Sequence, residues 1–107
     1  MRAILISIIT LSITLASLPS LANPHCAELE STAKSIMNLR QNGFPMTKLI
    51  EKLSKSSDSA SDLELYKSLV FAAYDAPRYN SEKMKNLSIS DFRNEVYKRC
   101  LDADKRS

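Results

Sequence analysis

Two cysteines, Cys26 and Cys100, stand near the two ends of everything that follows an apolar leader. A bond between them would close a ring of roughly 75 residues, which in the chain-entropy account stabilises a fold by about 4 kcal/mol. That is on the scale of the whole stability of a small domain, and a domain of this size buries too little surface to be comfortable without such help. Whether the pair forms depends on the compartment, so the leader decides the matter.

Arg2 is a minimal basic start, Ala3 to Leu18 is an apolar run interrupted only by Ser and Thr, and Pro19-Ser20-Leu21-Ala22 ends it with small residues at the positions three and one before a cut. This is the pattern of a cleavable signal peptide, residues 1–22, removed after Ala22. A membrane-spanning helix needs about 20 predominantly apolar residues, and Pro19 stops this run short with no basic cluster behind it. Cys26 lies four residues past the cut, which argues against lipidation at the cut itself. The expected location is therefore periplasmic or secreted, with no stable membrane insertion after cleavage. In that oxidising setting an even pair of cysteines reads as a disulfide.

Cleavage leaves residues 23–107 as one domain. With 44% apolar residues, 25% charged residues and a single glycine in the chain, the composition excludes a disordered tail and a glycine-rich β protein. Loss of Arg2 takes the formal net charge from +3 to +2, and charges alternate in sign along the chain. There is no basic block with interleaved aromatics, so nucleic acid is not an expected partner.

Apolar residues at spacings of three and four predict a helix from Asn23 to Asn42, with Asn23 as cap, Pro24 in the first turn, and Cys26, Leu29, Ala33, Ile36, Met37 and Leu39 inward. Gly43, Phe44 and Pro45 form a stop: a left-handed residue, an apolar contact and a residue that cannot continue the helix. A second helix is predicted over Met46 to Lys55, and Ser54 to Ser61, with five serines in eight residues, as a polar loop. Ser61 with Glu64 reads as a capping box opening a third helix, Asp62 to Ala76, expected to be the centre of the core and ended by Pro77. Arg78 to Leu87 reads as one or two polar turns opened by Asn80 or Ser81. Ser88 with Asp91 offers a further capping box for a last helix carrying Phe92, Val96 and Cys100, followed by a charged tail from Asp102 to Ser107. With no alternating strand, the expected fold is all-α, a small bundle of four to five helices tied by one disulfide between the first and last.

The early cysteine, Ile36-Met37, Arg40-Gln41, Gly43, Pro45, Ala73-Tyr74, Pro77, Phe92, Tyr97 and Cys100 together resemble a family of small secreted proteins of bacteria and their phages that carries no assigned activity. The most specific piece is IMNLRQNGFP, residues 36–45. The resemblance implies an exported location and paired cysteines, and it carries over no catalytic or binding residue. In plan the chain also looks like helical periplasmic acid-stress chaperones and like small immunity proteins that block cell-wall amidases, a likeness of architecture that does not confer function.

Catalysis needs a nucleophile and a base in one pocket, and the single histidine, His25, falls at a helix start. One glycine cannot build a phosphate loop. A metal centre from His25, Cys26 and Cys100 lacks the usual ligand spacing, so neither metal nor other cofactor is expected. No catalytic residue is named. The residues that stand out are Arg40, Gln41, Tyr74, Arg78 and Tyr79 around the Pro77 break. Arg40 and Gln41 can satisfy carbonyls at the end of the first helix, and Tyr74 can be a core residue with its hydroxyl at the surface. Alternatively they form a patch for a protein partner, since Tyr and Arg dominate interface hot spots. The expected function is an exported small helical binding protein, an inhibitor or immunity-type factor that occupies another protein of the cell envelope. The alternative is a periplasmic stress chaperone of the small disulfide-linked helical type.

Overall fold

The structure, a computed structural model, describes residues 24–106. The leader, its cut after Ala22, the Asn23 cap and Ser107 lie outside the described residues. Four helices follow one another: α1 (Pro24–Gln41), α2 (Met46–Ser56), α3 (Ala60–Asp75) and α4 (Glu82–Arg106), with no strand among the described residues. None of them is long and apolar enough to cross a membrane.

Helix α1 lies along α4 and also packs on α3, while α2 packs on α3. Cys26 meets Cys100, Glu30 meets Arg93 and Gln41 meets Ser88, so α1 and α4 run antiparallel. The sulfur atoms sit 2.04 Å apart, with Cα atoms 5.6 Å apart, tying the start of α1 to the late turns of α4.

The core is built from Leu29, Ala33, Ile36 and Met37 of α1, Leu49 of α2, Leu69, Val70 and Ala73 of α3, and Val96 of α4. Helix α1, and not α3 as the apolar stripes suggested, is therefore the central element. It supplies four of these nine core residues against three from α3 and packs along both α3 and α4, and the small buried Ala33 and Ala73 allow close helix approach. Phe71 of α3 is half exposed.

The stop after α1 is a complete Schellman motif. Gly43, with φ of +82°, donates to the Arg40 carbonyl at 3.1 Å, and Phe44 donates to the Leu39 carbonyl at 2.9 Å. Leu39 and Phe44, the two side chains such a motif brings together, are both partly buried against the core. Lys52 of α2 stands over the Phe44 ring at 5.7 Å, fastening the next helix to this turn.

Three boundaries differ from expectation. Helix α2 runs through Ser56 and α3 begins at Ala60, so the serine-rich loop shrinks to residues 57–59. The cap of α3 is Ser59, whose hydroxyl accepts from the Asp62 N–H at 3.1 Å, while Ser61 lies inside the helix. The predicted fourth and fifth helices are one: α4 opens with Ser81 accepting from the Met84 N–H at 3.2 Å and continues unbroken through Ser88 and through Asp102 to Arg106. No glycine or proline stands between Arg78 and the C-terminus to interrupt it.

Candidate functional site

The five residues singled out around Pro77 converge where α1 ends and α3 turns into α4. Arg40, in the last turn of α1, donates from Nε at 3.1 Å and from its terminal nitrogen at 3.0 Å to the Ala76 carbonyl. That carbonyl caps the C-terminus of α3, where a helix dipole favours a cation. The same guanidinium lies 5.2 Å from the Tyr74 ring centroid. Tyr74 donates its hydroxyl proton to the Phe44 carbonyl at 2.5 Å, and burial pushes that hydroxyl above the ordinary tyrosine range, against a smaller opposing pull from Arg40.

Gln41 is fully buried and makes contacts in three directions. Its Nε2 donates to the Pro77 carbonyl at 2.9 Å and to the Ser88 hydroxyl at 3.3 Å, and its Oε1 accepts from the Tyr79 N–H at 2.9 Å. Arg40 and Gln41 thus satisfy the backbone of the α3–α4 connection, not the end of their own helix as the sequence suggested. Every buried side-chain nitrogen and oxygen among the described residues has a partner, and this polar knot is the reason at its end of the bundle. Arg78 is exposed and passes across Gly43, where a Cβ would come within 3.0 Å of its guanidinium. Tyr79 is half-buried.

Tyr79 leads into an open groove of about 410 Å³ between the connection and α4, floored by Met37 and Phe92, walled by Met84 and Leu87, and edged by Asp91 and Glu95. Met84 is 40% and Leu87 46% exposed, and both line this groove. Sequence reasoning passed over both, because Arg78 to Leu87 reads as polar. The signal available was their spacing of three on what is the first turns of α4.

Two further features, one polar and one mostly apolar, lie along α1 and α4. Glu30 accepts from Arg93 at 2.5 Å in a cleft that also holds Asn94 and Tyr97. The Arg93 hydrogen bond holds the Glu30 carboxyl below the ordinary range. No local pattern links residues 63 positions apart, so the sequence could not show this pair. At the disulfide end, a groove of about 330 Å³ is lined by Leu29, Leu65, Leu69 and Val96, with His25 and Asp104 at its edge. The Asp104 carboxylate lies 3.6 Å from the Cys26 sulfur.

No family model, no curated protein and no solved structure matches this chain.

Proposed function

We propose that the chain is an exported binding protein, an inhibitor or immunity-type factor that occupies another protein of the cell envelope. The observation that carries the reading is the pairing of a pinned connection with an uncovered apolar groove. Arg40 and Gln41 fix residues 76–79 from below through hydrogen bonds to backbone, Tyr74 ties the end of α3 to the Phe44 carbonyl, and the same stretch carries Arg78 and Tyr79 beside Met84 and Leu87. A surface ordered in advance loses little conformational entropy on association, which is the main route to affinity for a small binder. The complementary partner segment presents an apolar side chain to Met84 and Leu87, a basic group to Asp91 and Glu95, and a carboxylate to Arg78. The leader and the resemblance of residues 36–45 to secreted bacterial and phage proteins support the envelope as the place of action.

The test is capture from an envelope extract under non-reducing conditions, run in parallel with the wild-type chain and with Arg78→Ala/Leu87→Asp. One stoichiometric partner held by the wild type and released by the variant, at unchanged melting temperature, supports the reading. Equal recovery on both baits refutes the assigned face.

The chaperone reading draws support from Phe71 and Met46, exposed on α3 and α2 away from this groove. It requires further apolar surface to emerge in acid. A dye sensitive to apolar surface, followed from neutral pH to pH 3, discriminates: a flat signal removes the chaperone.

A further inference from the structure

We propose that Cys26, Cys100 and Asp104 form a three-ligand site for a thiophilic divalent ion, Zn2+ foremost, whenever the disulfide is reduced. The two sulfur atoms and a carboxylate oxygen of Asp104 lie within 4.8 Å of one another. Asp104 stands one turn beyond Cys100 on α4, the i, i+4 spacing that sets two ligands on one helix face. Cys26 comes from α1, so the ligands join two elements, as the two cysteines already do.

The distances suit a tetrahedral ion. With bonds of about 2.3 Å to sulfur and about 2.1 Å to oxygen, the sulfur–oxygen edge of the tetrahedron is about 3.6 Å. In the disulfide form the Asp104 oxygen already stands 3.6 Å from the Cys26 sulfur, within reach of that edge once the sulfurs part. The sulfur–sulfur edge must open to about 3.8 Å by the same geometry, a displacement of about 1 Å per sulfur that side-chain rotation supplies without moving the backbone. Pairs of cysteines with Cα atoms 5.6 Å apart need no helix shift for this. Cys26 is buried, Cys100 is part-exposed and Asp104 is exposed, so the ion reaches the site from the Asp104 side, with water completing the shell.

The chemistry balances. A trialkylphosphine and one water convert the disulfide to two thiols, the phosphorus taking the oxygen as phosphine oxide while two electrons and two protons go to the sulfurs. Binding the ion then releases the two thiol protons, and the dithiolate with Asp104 places three negative charges around a dication. The cross-link would persist in another form, thiolate–metal–thiolate in place of sulfur–sulfur, for a chain that has reached the envelope before its cysteines are oxidised. Among His25, Cys26 and Cys100 the sequence has no Cys-x-x-Cys spacing, and adjacent His25 and Cys26 point in different directions on a helix; the fold brings Asp104 of α4 to the two cysteines instead.

The experiment titrates Co2+ into the purified chain after phosphine reduction under argon, reading the near-ultraviolet thiolate-to-cobalt band, with Zn2+ as competitor and circular dichroism on the same samples. The expected result is one equivalent bound by the reduced chain, none by the oxidised chain, at least tenfold weaker binding in Asp104→Asn, and a Zn2+-dependent rise in the melting temperature of the reduced chain alone. Absence of the band, equal binding by the oxidised chain, or equal affinity of Asp104→Asn would each overturn the proposal. The last comparison holds even where reduction loosens the fold, because two cysteines on a disordered chain would bind without regard to Asp104.

Discussion

Replacing Gln41 by Leu keeps much of the side-chain volume and removes every hydrogen bond the amide makes. Four partners lose their bond: the Pro77 carbonyl and the Tyr79 N–H, each at 2.9 Å, the Ser88 hydroxyl at 3.3 Å, and, as a weak acceptor, the Met37 sulfur at 3.6 Å. A net value near 1 kcal/mol for each of the two short bonds, with a smaller amount for the others, gives a loss of about 2–3 kcal/mol. The lower end applies because Pro77 and Tyr79 are part-exposed and water can reach their backbone once the loop relaxes. In a domain of this size each kcal/mol moves the melting temperature by about 4–8 °C, so a loss of about 2 kcal/mol should make Gln41→Leu melt about 8–16 °C lower with the disulfide intact. Gln41→Ala should fall further, because the methylene volume is lost as well. Thermal melts followed at 222 nm measure both. A Gln41→Leu chain within about 3 °C of the wild type would refute the claim that this amide holds the α3–α4 connection, leaving packing alone to order that end of the bundle.

Removing the cross-link with Cys26→Ser/Cys100→Ser should cost about 4 kcal/mol in chemical denaturation, with a reduced midpoint as the readout. Gly43→Ala should cost about 1–2 kcal/mol, because φ of +82° is strained for any Cβ-bearing residue, and Gly43→Asn should cost less. Adding Arg78→Ala to Gly43→Ala should recover only the small part due to the guanidinium contact, since a long side chain can move aside while the backbone cannot. The Glu30 carboxyl is lowered in the folded state chiefly by its Arg93 hydrogen bond, so its stabilisation is present above the ordinary carboxylate range and lost as pH falls through the lowered value. Glu30→Gln should therefore flatten the acid limb of stability measured between pH 5 and pH 2, and an unaltered limb would assign acid sensitivity to other groups.

The helices were legible where the chain carries punctuation. Asn42-Gly43-Phe44-Pro45 marks a stop that any helix must obey, and the Schellman motif forms there. Pro77 likewise ends α3. The readings went astray where punctuation is duplicated or missing. Ser59 and Ser61 both qualify as caps, and the choice falls to Ser59, which sits in extended backbone while Ser61 is already helical. Lys85 interrupts the apolar stripe of Ile89, Phe92 and Val96, so the first turns of α4 look detached from the rest. The site was legible only as a set of suspicious residue types. Arg40 and Gln41 reach carbonyls 36 positions away, and no local rule encodes a bond between the end of one helix and the exit of another. The same holds for Glu30 with Arg93. Long-range polar pairing depends on how α1 beds between its neighbours, which periodicity alone does not specify.

The cross-link from the first turn of α1 to the late turns of α4 makes the described fold a nearly closed covalent circle. A protease that cuts the exposed Asp58-Ser59 stretch opens that circle without dividing the molecule. The products, one piece carrying α1 and α2 and the other α3 and α4, remain joined through sulfur, and the Arg40 and Gln41 bonds that fix Arg78 and Tyr79 run between the pieces away from the cut. A nicked chain would thus keep the Arg78–Tyr79 face as a two-chain molecule, and would fall apart on a gel only when a thiol is added.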